Sequence, residues 1–145
     1  MSLWGLLVTI PKPNVKADRR AKKRAKQQSH DAFSEAVLAA DDYRCANFLT
    51  IHDRTYGVTA HHIVRRGQQG PDTVENGVAL CAQCHDRAER GDKKQTADEF
   101  VLWVLNQHRD SARWRWDEAA AHLKKRIAFK AGRTNRDLTH TEGSK

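Results

Sequence analysis

Two short segments decide the fold: HHIVRR at residues 61–66 and NGVALCAQCH at residues 76–85. Together they place adjacent histidines, an asparagine and a Cys-x-x-Cys-His sequence within 25 residues. Histidine and cysteine bind transition metals, and a neutral imidazole accepts a proton near neutral pH. Because consecutive residues of a strand point to opposite faces, His61 and His62 are expected to have different tasks.

The three cysteines, Cys45, Cys81 and Cys84, indicate metal or thiol chemistry. An odd number of cysteines in a chain without a recognisable secretion signal argues against a disulfide framework. A single Cys-x-x-Cys is typical of a zinc knuckle, and a redox pair is the alternative. The redox alternative is weaker, because no βαβ pattern surrounds the pair and His85 follows it directly.

Most of the positive charge lies near the start of the chain. The net charge is +8, and the segment from residue 12 to residue 26 has eight basic residues against one acidic residue, Asp18. A cationic arm suits a polyphosphate partner, since each neutralised phosphate releases condensed counterions. The alternative is a solvated helix face or a disordered tail. The basic residues are Lys12, Lys16, Arg19, Arg20, Lys22, Lys23, Arg24 and Lys26.

The first two thirds of the chain divide into a basic N-terminal arm, 1–28, and a core, 29–95. The arm is rich in alanine but has almost no apolar face, so we expect it to be helical only when docked. A short helix is predicted from Ser29, as N-cap, to Ala40. The β-branched and aromatic residues between 41 and 66 favour a hairpin, residues 67–76 a loop, and residues 78–88 a helix.

The last third reads as a helical extension, 96–131, followed by a flexible tail, 132–145. Thr96 and Glu99 form a capping box at the start of one helix, and residues 117–128 predict another. Between them, residues 113–116 read RWRW. This alternation of cations and aromatics suits stacking on bases or binding phosphates, whereas tryptophan more often anchors a small core.

The composition excludes a membrane protein. The chain has 145 residues and a mean hydropathy of −0.81, and its most apolar early stretch, residues 3–10, is too short to span a bilayer. That stretch also lacks the flanking features of a secretory signal. We therefore expect the chain to stay in the cytoplasm of its host.

The two segments quoted above resemble the HNH endonuclease family, and most closely its small phage and prophage members. The resemblance spans residues 37–90 and comprises a His-His pair, a loop containing glycine, an asparagine, and the sequence LCxxCH. It implies an α+β fold with a ββα-metal (His-Me finger) core. It also implies a zinc knuckle, and the basic N-terminal helix or arm and the C-terminal helices described above would flank this core.

The resemblance assigns a role to each matched residue. His61 and His85 would hold one divalent cation, Mg²⁺, Mn²⁺, Ni²⁺ or Zn²⁺, while His62 would be the general base. Asn76 would orient His62 or fix the loop. Two protein ligands leave coordination positions open for water and phosphate oxygens, as a catalytic cation requires.

The structural zinc site of the family is incomplete here, because Phe48 stands where a fourth cysteine would follow Cys45. His52 is the nearest candidate for the missing ligand, beside Cys45, Cys81 and Cys84. The alternatives are a site closed by another group, or no zinc, with His52 an ordinary loop histidine.

The leading interpretation is a metal-dependent HNH endonuclease that cleaves or nicks DNA. The expected DNA contacts are the basic residues of the arm together with Arg65 and Arg66. Two alternatives remain: a zinc-stapled DNA-binding module without catalysis, and an accessory protein of phage packaging or repair whose tryptophan-containing helices face a partner. Catalysis is favoured because all four motif residues are present, whereas a chain that only binds DNA would be free to lose them. These residues are His61, His62, Asn76 and His85.

Overall fold

The computed structural model describes residues 14–111 and 114–139. The fold is α+β: a two-stranded antiparallel sheet lies between one long helix and three further helices. Within the described residues, none of the four helices is long and apolar enough to cross a bilayer. The elements are α1 (Val15–Ala40), β1 (Thr59–His62), β2 (Gly77–Leu80), α2 (Ala82–Arg90), α3 (Ala97–Asn106) and α4 (Asp117–Thr139).

Strands β1 and β2 with helix α2 form the ββα unit that the sequence predicts. The two strands pair so that His61 lies opposite Val78 and His62 lies opposite Gly77. The loop between them contains two 3₁₀ turns, Arg66–Gln68 and Val74–Asn76. The sheet is short, but both of its faces are covered by helices.

The side chain of Asn76 holds the loop between the strands together. Its Oδ1 accepts a hydrogen bond from the backbone N–H of Val64 at 2.8 Å, and its Nδ2 donates to the carbonyl oxygens of Val64 and Pro71, both at 2.9 Å. Gly70 lies beside these hydrogen bonds, where an added Cβ would come within 1.7 Å of the Val64 carbonyl oxygen. The loop is therefore closed by one asparagine and requires glycine at one position.

Two local predictions in this region are wrong. The hairpin expected within residues 41–66 does not form, because the strand in that range, β1, pairs with β2 across the loop instead. Residues 78–80 are strand rather than helix, and the helix begins only at Ala82. Their four-residue strand is fully buried, which explains the continuous apolar pattern that favoured a helix.

Helix α1 is one continuous helix, so the predicted start at Ser29 is wrong. It has 26 residues, and its N-cap is Asn14, whose side chain accepts from the N–H of Ala17. Its C-terminal half packs Phe33 and Val37 against the sheet. The contact is close, because a Cβ added to Gly77 would lie 2.2 Å from a methyl group of Val37. The basic half of the helix is exposed along its whole length.

The main core lies on the opposite face of the sheet from α1. Helix α3 begins with the predicted capping box of Thr96 and Glu99. Helix α4 continues to Thr139, so the tail expected from residue 132 is helical as far as the described residues extend. Buried side chains of these two helices and of the segment before α4 complete the core, among them Phe100, Val104, Leu105, Trp116 and Leu123.

The segment before α4 ties the helical extension to the ββα unit. Arg115 pairs with buried Asp41, with Nη1 2.9 Å from Oδ1, and its Nε donates to the Val74 carbonyl. Trp116 is fully buried and donates from Nε1 to the carbonyl of Gly77 at 2.8 Å. These contacts match the core-anchor interpretation of the RWRW sequence, whose Arg113 lies outside the described residues.

Candidate functional site

Four ligand-type side chains converge at the start of α2, and we call them the closed cluster: Cys45, His52, Cys81 and Cys84. Their ligand atoms all lie within 4.8 Å of one another. Cys81 is the N-cap of α2 and Cys84 lies in its first turn, while the other two come from the loop after α1. All three cysteines are buried. Three sulfurs and one imidazole are a tetrahedral donor set that suits zinc.

The surroundings of the closed cluster orient its ligands. Nδ1 of His52 is 2.8 Å from the Thr50 carbonyl oxygen, so it donates there and turns Nε2 toward the cluster, 3.7 Å from Sγ of Cys84. The same sulfur accepts a hydrogen bond from Nδ2 of Asn47 at 3.4 Å. Hydrogen bonds of this kind fix the ligand tautomer and stabilise a thiolate.

Two thiols of the closed cluster, Cys45 and Cys84, have pKa values shifted in opposite directions. A hydrogen bond from the Cys84 thiol lowers the pKa of Cys45, and the same contact raises the pKa of Cys84. The contact therefore favours the thiolate of Cys45 over that of Cys84. A metal ion held by the four side chains would displace this thiol proton, because cysteine binds metals as the thiolate.

A second group of ligand-type side chains, the open cluster, consists of His61, His85 and Glu89, again with ligand atoms within 4.8 Å. The rings of His61 and His85 are nearly perpendicular, with centroids 5.1 Å apart. Nδ1 of His61 is 3.3 Å from a carboxylate oxygen of Glu89. An imidazole pair with one carboxylate suits several first-row divalent ions.

Glu89 was not predicted from the sequence. It lies four residues after His85 on α2, so the two side chains share one face of the helix. The spacing His-x-x-x-Glu was the available signal. Glu89 is 43% exposed, whereas His61 is 4% exposed, and a surface pocket of about 460 Å³ lined by Thr59, His85 and Glu89 adjoins the cluster. A ligand from solvent can therefore reach it.

Burial keeps His61 neutral. Desolvation, helped by the neighbouring His85, lowers the pKa of His61 to about 3. A neutral imidazole has a lone pair for a cation, and at neutral pH no proton has to leave His61 before a cation binds.

His62 lies on the other face of β1, as strand alternation requires. Its ring stacks on Phe33 of α1 with centroids 3.9 Å apart. Its Nε2 is 2.9 Å from Oδ1 of Asp72, a loop residue that the sequence pattern does not mark as part of a site. Asn76 touches the loop backbone, as described above, and the described residues contain no hydrogen bond between its side chain and His62.

The two arginines that follow the histidine pair form ion pairs on opposite sides of β1, one beside the open cluster and one beside His62. Arg65 pairs with Glu89 of the open cluster, with Nη2 3.5 Å from Oε2. Arg66 pairs with Asp72, with Nη2 2.7 Å from Oδ2. Both arginines remain partly exposed, at 42% and 34%.

The predicted DNA-contacting residues of the arm lie on the exposed half of α1, except Lys12, which is outside the described residues. Four of them, Arg19, Lys22, Lys23 and Lys26, follow helical spacing and continue the stripe of Phe33 and Val37 toward the N-terminus. The helix face that packs on the sheet in one half is thus cationic in the other.

Comparisons with known proteins agree with this arrangement. A family model described as HNH endonuclease matches residues 44–91. An uncharacterized 28.3 kDa protein in the rrn23-psbC intergenic region of Chlorella vulgaris is 28% identical over 67 residues, which is 46% of this chain. The chain spans only 26% of that relative's length. No solved structure matches.

The family match is located where the site is. It contains both clusters, His62 and Asn76, together with the ββα unit that carries them. Domains of this family are generally nucleases and generally use a divalent metal. Residues 44–91 of this chain are therefore an HNH endonuclease domain with a ββα-metal fold.

Proposed function

We propose that this protein is a metal-dependent endonuclease that cleaves or nicks phosphodiester bonds of DNA. The observation that carries the proposal is the placement of the open cluster and His62 on opposite faces of one strand end, within an HNH domain. Attacking and departing oxygens lie on opposite sides of phosphorus in an in-line displacement. A cation site and a base on either side of a bound phosphate suit that geometry.

The cation would be held by His61, His85 and Glu89. One divalent ion bound there would polarise the scissile phosphate and stabilise the departing 3′ oxygen. Mg²⁺, Mn²⁺, Ni²⁺ and Zn²⁺ are all compatible with two imidazoles and a carboxylate. The exposure of Glu89 leaves room for water and phosphate oxygens on the solvent side.

The other steps belong to side chains of the chain itself. His62 would take a proton from the attacking water, which adds to phosphorus as the bond to the 3′ oxygen breaks. The departing 3′ oxygen would take up a proton from solvent, so the products would carry 5′-phosphate and 3′-hydroxyl ends. Asn76 would act through the loop backbone by holding Val64 and Pro71 in place behind His62.

The closed cluster would hold a structural zinc ion that fixes the start of α2. With four protein ligands it has no open position for a substrate, unlike a catalytic zinc site. DNA would be bound by the cationic half of α1 and by Arg65 and Arg66, through backbone phosphates.

The test is cleavage of supercoiled plasmid by the full chain and by His62→Ala, with Mg²⁺, Mn²⁺, Ni²⁺ or Zn²⁺. We expect nicked or linear product from the wild type and a loss of about 10²- to 10⁴-fold in the variant, the usual contribution of a general base. Binding of a duplex oligonucleotide in Ca²⁺ serves as the control and should be nearly unchanged. Cleavage by His62→Ala at the wild-type rate would reject the base assignment.

A wild type that binds the plasmid but cleaves it with none of the four ions would reject the enzymatic proposal. The zinc-stapled DNA-binding module would then be the better description. Binding in the gel-shift control separates this result from a preparation that is merely inactive.

A further inference from the structure

Asp72 touches the proposed base and belongs to neither metal cluster. We propose that Asp72 is a positioning residue that fixes the tautomer and the orientation of the His62 ring. This inference rests on the proposed function of His62 as general base. It adds a residue that neither the motif nor the family match assigns.

The contact itself determines where the ring proton lies. Nε2 of His62 is 2.9 Å from Oδ1 of Asp72. An ionised carboxylate can only accept a hydrogen bond, so Nε2 must carry the proton. A neutral ring then has its lone pair on Nδ1, and within the described residues no hydrogen bond reaches that nitrogen. Nδ1 is therefore the nitrogen that can take a proton from water.

Asp72 is itself held from two other elements. Ser29 of α1 donates to its Oδ2 at 2.8 Å, and Arg66 donates to the same oxygen at 2.7 Å. The hydrogen bond from Ser29, followed by that from His62, lowers the pKa of Asp72. The side chain thus remains a carboxylate whose second oxygen is free to face His62.

Phe33 restricts the ring from the other direction. Its side chain is stacked on His62 at a centroid distance of 3.9 Å and an interplanar angle of 19°. The His62 side chain is 12% exposed and that of Asp72 is 19% exposed, so water competes little for their contact. The His62 ring packs against Phe33 on one face and is hydrogen-bonded to Asp72 at Nε2, and together these two contacts hold it in one orientation.

The competing explanation is that Asp72 only stabilises its loop through Ser29 and Arg66. Loss of a loop contact would lower the melting temperature without changing the tautomer of His62. Asp72→Asn separates the two roles, because an amide keeps the size of the side chain but presents both a donor and an acceptor to the ring. Asp72→Glu restores a carboxylate.

The experiment uses the full chain labelled with ¹⁵N in histidine, with His62→Ala assigning the resonance. We expect the wild-type ring in the Nε2–H form, a shift toward the Nδ1–H form in Asp72→Asn, and the wild-type form in Asp72→Glu. In single-turnover plasmid cleavage, Asp72→Asn should lose about 10- to 100-fold in rate. The protein concentration that gives half of the maximal rate should stay within about 2-fold of the wild-type value. Asp72→Glu should recover most of the rate.

Asp92→Asn is the matched control. Asp92 is also a loop aspartate bonded to an arginine, Arg87, at 2.6 Å, but it touches neither His62 nor a ligand of either cluster. Its variant should leave the tautomer and the cleavage rate unchanged. A tautomer shift in this variant as large as in Asp72→Asn would overturn the proposal.

A wild-type ring in the Nδ1–H form overturns the proposal by itself, even where Asp72→Asn fails to fold. An unchanged tautomer and rate in folded Asp72→Asn would also overturn it, while cleavage by the wild type and its loss in His62→Ala would leave the endonuclease proposal intact. Conversely, a tautomer shift in Asp72→Asn in a chain that cleaves no DNA would support the positioning role and reject the proposed function.

Discussion

The closed and open clusters are built from neighbouring residues of one short helix, yet they differ in burial and in donor set. Cys84 belongs to the first and His85, the next residue, to the second. The closed cluster has four ligands, three of them buried sulfurs, whereas the open cluster has three, one of them an exposed carboxylate. A complete set suits a structural ion, and an incomplete set facing solvent suits a reacting one.

Helix geometry explains how one helix serves both clusters. Consecutive residues of an α-helix point about 100° apart, so Cys84 turns toward the core while His85 turns toward β1. Glu89 lies one turn beyond His85 and extends the same face. The comparison therefore predicts that changes on the two faces of α2 have different consequences.

The largest effect is expected from Cys84→Ser. Structural zinc contributes about 10–16 kcal/mol in small zinc domains, which exceeds the stability of many small proteins, about 5–15 kcal/mol. We expect loss of zinc and loss of a cooperative melting transition, checked by elemental analysis beside thermal melting. His85→Ala is the matched neighbour and should keep both. If Cys84→Ser had the same zinc content and melting temperature as the wild type, the closed cluster would not hold a structural zinc ion.

The next effect concerns the open cluster. His85→Ala and Glu89→Gln should weaken binding of the proposed catalytic cation by about 10-fold or more and lower cleavage accordingly, with the zinc content and melting temperature retained. Titration calorimetry with Mn²⁺ measures the affinity. Asp86→Asn on the same helix, whose carboxylate pairs with Arg90, controls for the loss of a charge. Unchanged Mn²⁺ binding in both cluster variants would show that the cation binds elsewhere.

A smaller effect is expected on α1, which has no ligand of either cluster. Replacing Arg19, Lys22, Lys23 and Lys26 by glutamine should flatten the slope of log K against log salt for duplex DNA by about 3 to 4 units, at nearly one unit per phosphate contact. Fluorescence anisotropy between low and moderate salt measures the slope.

The control for this prediction lies on the opposite face of the same helix. Arg20→Gln with Arg24→Gln should change the slope less, because these side chains point away from the stripe that continues Phe33 and Val37. Equal slopes for the wild type and the fourfold variant would mean that the cationic half is a solvated helix face.

The last prediction concerns the pH dependence of folding stability, which involves neither cleavage nor DNA binding. The pKa of His61 is lowered to about 3 in the folded chain, while an unfolded histidine titrates near 6.5. Between these values the unfolded chain binds the extra proton, so stability should fall as the pH drops below about 6.5 and change little above it. Urea unfolding without added divalent ions should show this slope reduced in His61→Asn, by up to about 1.4 kcal/mol per pH unit. The same pH dependence of the unfolding free energy in the wild type and in His61→Asn would contradict the lowered pKa of His61.

The residues of the closed cluster were predictable because the chain has only three cysteines and the family resemblance points to His52 as the nearest candidate beside them. Cys45, His52, Cys81 and Cys84 were named together from the sequence, and the fold brings their ligand atoms together. The structure adds Glu89 and Asp72. Glu89 had a signal in its helical spacing, whereas Asp72 had none, because only the closed loop brings it to His62.

The hairpin predicted for residues 41–66 failed for a physical reason. Apolar β-branched and aromatic residues favour strands only when a sheet face can bury them, but Ile51 and Tyr56 are exposed. The backbone there serves the closed cluster instead: Arg54 donates twice to the Cys45 carbonyl, at 2.9 and 2.8 Å. Residue preference alone could not reveal that competition.

Helix α1 shows the opposite error. Ser29 is a good N-cap residue, and the apolar stripe begins near it, so a helix start was expected there. The alanine, lysine and arginine residues before it have high helix propensity and extend the helix to Val15. A local cap signal is weaker than a fourteen-residue segment made mostly of good helix formers.

The shared helix α2 has a consequence for the maturation of the protein. Because Cys81 caps the helix and Cys84 lies in its first turn, we expect zinc to set the direction in which His85 and Glu89 project. Loading should then be ordered: zinc first, during folding, and the exchangeable cation only afterwards. A newly made chain without an ion in the closed cluster would then lack the second site as well, and the proposed nuclease activity would appear only after zinc had bound.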